Sequence, residues 1–261
     1  MSQSPRLDAI LPAGGRIKKD FAELAGAEVK ALIKLGGRTL LERDIGAIRD
    51  LGYGGRIVVI GPPEVAQALP EGLVDTVLAE GASGPENIFR GIDWLREDGN
   101  GRLPGRLLVM TTDLPYLTAA GLRTLLDAAP PEADIAIPAI ERADFMERFP
   151  GTPREFTRLR DGRWMIGGAA LVKPETLVRI RPLIERVFEA RKSPFAMAGV
   201  LGLRLLLRYL LNRLTVPQII ARVEQVLDCR AVGVGDCAPE LGYDIDLQRE
   251  YEYALTYPPE G

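Results

Sequence analysis

A glycine-rich, basic loop near the N-terminus contains the residue types that most directly indicate chemistry. The end of an apolar run, two glycines and the cations after them are Leu11, Pro12, Ala13, Gly14, Gly15, Arg16, Lys18 and Lys30. Glycines let backbone N–H groups approach anionic oxygens closely, and cations offset the charge of those oxygens. The loop therefore indicates phosphate binding, and an ordinary glycine turn after a strand is the alternative.

The loop fits neither of the two commonest nucleotide-binding motifs. A P-loop requires Gly-Lys-Ser/Thr after its first glycine, and no such triplet follows Gly14 and Gly15. The dinucleotide-binding motif requires a second glycine where Arg16 stands. We therefore expect a phosphate site of a different kind.

Aspartates in two distant parts of the chain are candidate metal ligands. Asp113 follows an apolar run and precedes Leu114 and Pro115, which predicts a position at the carboxyl end of a buried strand. Asp244 and Asp246 lie near the C-terminus. A metal ion held by these aspartates, together with the loop cations, would neutralise the charge of bound phosphates.

The chain contains no histidine, and this absence excludes several classes of chemistry. Ser-His-Asp and Cys-His catalysis, histidine-ligated zinc and imidazole acid–base catalysis all require the missing side chain. A metal must then bind to oxygen ligands, which favours Mg²⁺. Cys229 and Cys237 are too few and too far apart for a zinc ribbon or a redox CxxC motif.

Length and charge predict one domain that does not bind nucleic acid. The 261 residues suit a single α/β domain, with residues 1–138 as a nucleotide-binding half and 139–261 as an acceptor-binding half. The net charge of −3 gives no reason to expect a nucleic-acid partner. The polar N-terminus shows no signal-peptide pattern, so we expect a cytoplasmic protein.

Alternating apolar runs and amphipathic segments predict the elements that position these residues. Strands are expected at residues 7–11, 56–60, 76–78, 107–110 and 134–138, and helices at 39–51, 85–96 and 118–128. Thr39 and Glu42 form a capping-box pattern at the first of these helices. The alternation predicts an α/β fold with a Rossmann-like, doubly wound, mostly parallel sheet.

The second half reads as a β-hairpin followed by a helical insertion at about 174–228. The hairpin strands are expected at 155–159 and 164–172, the helices at 174–190, 194–212, 216–228 and 247–255, and a last strand at 231–234. The leucine-rich helix 194–212 is too short and too charged to span a bilayer. It could pack in the core, form a homodimer contact, line an acceptor site or lie on a membrane surface.

The order of these motifs resembles the nucleotidyltransferase superfamily that includes molybdenum-cofactor guanylyltransferases (MobA-like proteins) and cytidylyltransferases. Its members typically read LxAGxGxR and then KxLxxLxGxPLL, which is similar to LPAGGRIK at residue 11 and KALIKLGGRTLL at residue 30. Asp113-Leu114-Pro115 resembles the metal-binding DxP of the family. The segment after Asp244 is similar to its C-terminal DxDxxxDYxxA.

The resemblance implies a glycosyltransferase-A-type fold and a role for each matching residue. Asp113 and Asp246 would bind Mg²⁺, with Asp244 a neighbour, and Arg16, Lys30 and Asp113 would carry catalysis. The implied nucleotide contacts are Leu11, Ala13, Gly14, Gly15, Arg16, Lys18 and Lys30, with Gly81, Ser83, Gly84 and Asn87 at the base. Candidate acceptor contacts are Arg154, Arg158, Gly168 and Lys173.

Two departures from the family pattern bear on specificity. Arg16 and Lys18 stand where the family has Gly and Arg, so either cation could contact phosphate. Asn87 replaces a frequent serine, which leaves the base open. We expect a Mg²⁺-dependent nucleotidyltransferase that uses a nucleoside triphosphate and a small phosphorylated acceptor and releases pyrophosphate. The alternatives are a nucleotide-sugar-dependent glycosyltransferase and an inactive nucleotide-sensing module.

Overall fold

A computed structural model describes residues 6–190 and 193–259. Helices and strands alternate through the first half of the chain. Their order there is β1 (Asp8–Pro12), α1 (Lys19–Ala25), β2 (Lys34–Leu35), β3 (Arg38–Thr39), α2 (Leu40–Asp50), β4 (Ile57–Gly61), α3 (Pro63–Ala68), β5 (Thr76–Ala79), α4 (Gly84–Asp98), β6 (Leu107–Met110) and α5 (Ala119–Ala128). The five predicted strands and three predicted helices that the sequence indicates up to residue 138 are all present. Helices α1 and α3, which are only seven and six residues long, are additions.

The second half contains shorter elements. They are β7 (Ile135–Glu141), α6 (Arg142–Arg148), β8 (Thr157–Leu159), β9 (Gly162–Ile166), β10 (Ala169–Val172), α7 (Pro174–Arg179), α8 (Arg181–Ala190), α9 (Pro194–Leu201), α10 (Leu203–Leu210), α11 (Val216–Leu227), β11 (Ala231–Val234) and α12 (Gln248–Thr256). The predicted helix 174–190 divides at Ile180, and the predicted helix 194–212 divides at Gly202, whose φ of 97° no α-helix contains.

The strands of the described residues form a mixed, mostly parallel sheet. Their order is β5-β4-β1-β6-β10-β7-β9-β8, and β11 pairs with β7. Strands β4, β5 and β6 run parallel to β1, whereas β10 lies antiparallel between β6 and β7. The α/β fold class is confirmed.

The predicted hairpin strand 164–172 is wrong in one respect. Residues 162–166 pair with β8 as expected, but Gly167 and Gly168 then interrupt the strand and β10 enters the sheet beside β6. Both halves still run along β7, because Met165 pairs with Ile140 and Leu171 pairs with Ala136. The two glycines thus shift the chain from the hairpin into the centre of the sheet.

Both faces of the sheet are buried, as in a doubly wound fold. On β1, Ala9 and Leu11 join a core beneath α2 and α5, while Ile10 joins a second core beneath α4. Helix α4 approaches β1 closely because it has Gly91 at the contact, where a Cβ would lie 2.8 Å from Ile10 Cδ1. This packing fixes the carboxyl end of β1, where the glycine loop begins.

Helix α2 begins as the sequence predicts. The Thr39 hydroxyl accepts a hydrogen bond from the Glu42 N–H at 3.1 Å, and the Glu42 carboxylate accepts one from the Thr39 N–H at 2.7 Å. This capping box satisfies two of the otherwise unpaired N–H groups of the first turn. None of the helices among the described residues has the length and apolar content that crossing a bilayer requires.

Candidate active site

The glycine loop and Asp113 meet because β1 and β6 are parallel neighbours. The two strands pair from Asp8–Leu107 to Ile10–Val109, so their carboxyl ends lie at the same edge of the sheet. The Thr112 hydroxyl donates a hydrogen bond to the Pro12 carbonyl at 3.2 Å and ties the two strand ends together. Ligands of α/β sheets bind at this edge.

The glycine loop folds back onto Lys30. The Lys30 N–H donates to the Gly15 carbonyl at 2.8 Å, and Arg16 forms an antiparallel bridge with Val29. A Cβ on Gly14 would lie 2.0 Å from Glu80 Oε2, so a larger residue there would have to displace the Glu80 carboxylate. The residues between 18 and 29, which the sequence left as a spacer, form α1 and return the chain to the loop.

The two loop cations differ in their surroundings. The Arg16 guanidinium lies 3.2 Å from Glu80 Oε1, with its side chain half-exposed. Lys18 is exposed at the start of α1 and has no ion pair among the described residues. Both remain accessible to a bound phosphate chain, and Arg16 would exchange its contact with Glu80 for one with the ligand.

The Lys30 ammonium lies between two carboxylates. Its Nζ is 2.9 Å from Asp113 Oδ2 and also contacts Asp246 Oδ1. Burial disfavours the charged lysine, but Asp113 and Asp246 outweigh that effect and raise the pKa of Lys30. Lys30 is therefore a cation at all physiological pH values, and it joins residues that are 83 and 216 positions away in the chain.

Three carboxylates form a cluster that could hold a metal ion. One oxygen each from Asp113, Asp244 and Asp246 lies within 4.8 Å of the others. Asp113 Oδ1 is buried and has no hydrogen-bond partner among the described residues. Buried polar atoms normally have a partner, and a bound cation would provide one here. Oxygen donors of this kind suit Mg²⁺. The residues therefore fit the ion that the sequence implied.

The electrostatics of the cluster also favour an added cation. Burial and the neighbouring Asp113 and Asp246 raise the pKa of Asp244 to about 8, although Arg154 opposes the shift. Burial acts in the same sense on Asp246, but the hydrogen bonds from Asp244 and Lys30 lower its pKa overall. One proton is thus shared by a pair of adjacent acids, because like charges at this distance repel.

The C-terminal segment is held against Asp113 by backbone and side-chain contacts. The Ile245 N–H donates to the Asp113 carbonyl at 3.1 Å. The buried Glu250 carboxylate accepts hydrogen bonds from the N–H groups of Asp246 and Leu247 at 2.9 and 2.7 Å. These bonds begin α12 and fix the Asp246 side chain at the cluster.

Arg154 contacts residues of this C-terminal segment and is not a free cation in this structure. Its guanidinium contacts the Asp244 carboxylate, donates to the Asp244 carbonyl at 3.2 Å and lies 3.5 Å from Glu250 Oε1. The acceptor role implied by the resemblance would require these contacts to break. The sequence alone could not reveal them, because the partners are 90 or more residues apart.

The predicted base loop is ordered by its own side chains. Ser83 begins α4 by accepting from the Glu86 N–H at 3.2 Å, and the Asn87 side-chain oxygen accepts from the Gly81 N–H at 2.6 Å. A Cβ on Gly81 would lie 2.3 Å from Glu86 Cδ, whereas one on Gly84 would meet the Phe188 ring at 3.2 Å. Asn87 therefore shapes the loop through its contact with the Gly81 backbone.

The remaining acceptor candidates lie in three different places. Gly168 borders the cluster: its carbonyl accepts from the Thr111 N–H at 2.8 Å, and a Cβ there would lie 2.5 Å from Thr111 Oγ1. Arg158 is exposed on the edge strand β8. Lys173 lies at the opposite edge of the sheet, where it pairs with Asp134 at 3.0 Å, and its contact with an acceptor stays a prediction.

Asp44 is a residue of the site that the sequence did not indicate. It is fully buried in α2, and burial together with Asp113 raises its pKa well above the usual range. Burial thus favours the protonated form of Asp44, which lacks the charge of the other carboxylates. Its place within the capping-box helix gives no signal in the sequence, because charged residues on α2 are expected to face solvent.

Comparison with known families agrees with this arrangement. Residues 9–144, more than half of the chain, match the family model of the MobA-like NTP transferase domain. The chain belongs to the MobA-like NTP transferase family. The match contains the glycine loop, Lys30 and Asp113, and it ends before Asp244 and Asp246.

Individual relatives of this MobA-like protein differ in the share of the chain that they match. A 2-C-methyl-D-erythritol 4-phosphate cytidylyltransferase from Frankia casuarinae is 35% identical over 97 residues, which are 36% of this chain and 35% of the relative. The match thus spans about a third of that curated relative. A hypothetical transferase structure from Thermus thermophilus is 31% identical, with a TM-score of 0.81 over 94% of this chain and 99% of the other.

More distant structures share the fold. A nucleotidyl transferase from Methanothermobacter has a TM-score of 0.56 at 19% identity, over 97% of this chain and 98% of the other. At that identity the similarity concerns the fold alone. The two chains therefore share their fold along nearly their whole length.

Proposed function

We propose that this protein transfers a nucleoside monophosphate from a nucleoside triphosphate to a small phosphorylated acceptor, with Mg²⁺, and releases pyrophosphate. The observation that carries the proposal is the meeting of Lys30 with Asp113 and Asp246 beside the glycine loop. A cation, a phosphate-binding loop and a carboxylate cluster are the parts that phosphoryl-type transfer requires.

In the proposed reaction an oxygen of the acceptor phosphate attacks the α-phosphorus. The bond between the α-phosphorus and its bridging oxygen breaks, and the electron pair leaves with pyrophosphate. The acceptor oxygen is already ionised at neutral pH, so the reaction needs no general base, and the absence of histidine is no obstacle. When bound, Mg²⁺ supplies charge neutralisation and orientation of the phosphates.

Each residue has a defined task in this proposal. The N–H groups at Gly14 and Gly15 approach the phosphate chain, and Arg16 binds the departing pyrophosphate. Lys30 turns from the carboxylates to the triphosphate, because a polyanion competes with Asp113 and Asp246 for its ammonium group. Its departure leaves Asp113 and Asp246 without their cation, and a divalent cation would then offset their charge.

Pyrophosphate release tests the proposal. The purified protein is incubated with Mg²⁺, each of the four nucleoside triphosphates and a panel of phosphorylated acceptors. The name of the Frankia relative makes CTP with 2-C-methyl-D-erythritol 4-phosphate the first pair to try. We expect pyrophosphate from one combination, and none after the metal is chelated.

Asp113→Asn and Asp127→Asn form a matched pair for this assay. Loss of an Asp113 carboxylate should reduce turnover about 10³-fold, equivalent to about 4 kcal/mol of charge stabilisation. Asp127 is exposed on α5, and its substitution should leave the rate unchanged. Tight triphosphate binding without pyrophosphate from any acceptor would identify a sensor, and turnover of a nucleotide sugar instead would identify a glycosyltransferase.

A further inference from the structure

Helix α10 exposes three of its five leucines. Leu203, Leu207 and Leu210 are 63%, 50% and 68% exposed, and Leu211, just beyond the helix, is 63% exposed. Their spacing of four, three and one residues places them along one side of the helix. A surface helix normally buries such an apolar stripe, so this orientation indicates a partner that the isolated chain lacks.

Positive charge borders this leucine face. Arg204 and Arg208 are four residues apart and adjoin the leucines, and Arg213 follows the helix. None of the three forms an ion pair with an acid in the described part of the chain. No Asp or Glu occurs between Glu189 and Glu224, although the whole chain has a net charge of −3. The segment is therefore a strongly basic, acid-free part of an acidic protein.

We propose that α10 is an interfacial anchor that lies on an anionic phospholipid bilayer. The exposed leucines would enter the boundary between headgroups and acyl chains, and the arginines would contact lipid phosphates. An eight-residue helix is far too short to cross a bilayer, which leaves a position parallel to its surface. The proposal does not depend on the reaction that the site catalyses.

The arginines beside the exposed leucines favour a membrane over a second copy of the chain as the partner of α10. A symmetric contact through α10 would bring two sets of unpaired arginines close together, and no carboxylate of the same segment could neutralise them. An anionic lipid surface instead attracts all of them at once. The apolar stripe and the charge pattern thus favour the same partner.

The neighbouring elements connect the anchor to the rest of the protein. Helix α10 packs against α9, which in turn packs against α8 and α11. Gly202 separates α9 from α10 with a φ of 97°, a conformation that favours glycine and turns α10 away from the line of α9. The membrane contact would therefore orient the whole C-terminal half at the bilayer.

Vesicle sedimentation tests the anchor directly. The full chain is mixed with vesicles of phosphatidylcholine alone or of phosphatidylcholine with phosphatidylglycerol. We expect sedimentation with the anionic vesicles only, and less of it as salt increases. Leu207→Gln with Leu210→Gln should weaken partitioning at least about tenfold, since each substitution removes an apolar side chain that the bilayer would bury. Arg204→Gln and Arg208→Gln should each weaken it about fivefold, which corresponds to about 1 kcal/mol per charge.

Matched controls separate the anchor from general surface effects. Leu255 is 51% exposed on α12, and Arg102 is exposed after α4. Leu255→Gln and Arg102→Gln should bind vesicles as the parent chain does. Thermal unfolding of the α10 variants should be unchanged, and a fall in their midpoint would mark the leucines as core and overturn the proposal.

Other outcomes would also overturn it. Equal partitioning of the α10 variants and the parent chain would place the lipid contact elsewhere. Absence of binding to anionic vesicles, combined with a dimer in sedimentation velocity that the leucine variants dissociate, would identify a second copy as the occupant. Binding to both vesicle types without salt dependence would exclude the role given to the arginines.

Discussion

The position of Lys30 between Asp113 and Asp246 predicts that this lysine competes with Mg²⁺ in the free protein. Lys30→Met keeps the length of the side chain and removes its charge. In the absence of nucleotide we expect the variant to bind Mg²⁺ more tightly than the parent chain, because no ammonium group has to leave the carboxylates. Nucleoside triphosphate binding and turnover should fall in the same variant.

The magnitude follows from the burial of the three side chains. Those of Lys30 and Asp113 are 17% and 10% exposed, so their contact is a buried ion pair, and breaking such a pair costs about 3–5 kcal/mol. The Asp246 side chain is 53% exposed, and its contact contributes less than about 1 kcal/mol. We expect the free energy of unfolding in chelator to fall by about 3 kcal/mol, and the affinity for Mg²⁺ to rise at least about tenfold, or 1.4 kcal/mol.

Calorimetric titration with Mg²⁺ and urea unfolding with and without the metal provide the measurements. Lys34→Met is the control, because Lys34 is exposed on β2, and neither quantity should change. The raised pKa of Lys30 means that the ion pair persists below about 10.5 and is lost only as pH rises through the higher folded value. Unchanged or weaker Mg²⁺ binding in Lys30→Met would refute the competition.

Two further predictions concern stability. Arg56→Ala should lower the free energy of unfolding by about 3 kcal/mol in urea, because the buried Asp8 would keep only the exposed Arg6 as a partner cation. Arg96→Ala breaks an exposed pair and should change that free energy by no more than about 0.5 kcal/mol. Similar losses in both variants would contradict this reasoning. Asp244 binds its proton more tightly when folded, so its contribution to stability falls as pH rises from about 4 through about 8. Between these pH values the midpoint of thermal unfolding of the parent chain should fall by at least about 2 °C more than that of Asp244→Asn. Identical pH profiles for the two proteins would show that Asp244 is not the titrating group.

Patterns among neighbouring residues of the sequence were enough to predict much of the fold. Strands at residues 107–110 and 231–234 and the capping box at Thr39 occur where the sequence predicts them, because each depends on a run of apolar residues or on two side chains three positions apart. The insertion of β10 between β6 and β7 could not be predicted. Strand order depends on pairing across the chain, and the sequence near Gly167 and Gly168 indicates only an interruption.

The candidate site likewise contains residues that the sequence predicts and contacts that it does not. The residues that form the cluster were identified from motifs, and the structure brings Lys30, Asp113 and Asp246 into contact. The partners of Arg154 and Lys173 were not predictable, since an exposed cation and a paired one have the same sequence signal. Burial distinguishes them, and burial is a property of the folded chain.

The insertion of β10 has a consequence for how the protein is made. During synthesis, β6 and β7 leave the ribosome before the strand that lies between them, so the edge of β6 stays unpaired until residue 172 follows. Asp244 and Asp246 emerge later still. A nascent or proteolysed chain that ends at the end of the family match, residue 144, would contain the loop, Lys30 and Asp113 but not the complete carboxylate cluster. The complete carboxylate cluster therefore requires the segment that contains Asp244 and Asp246.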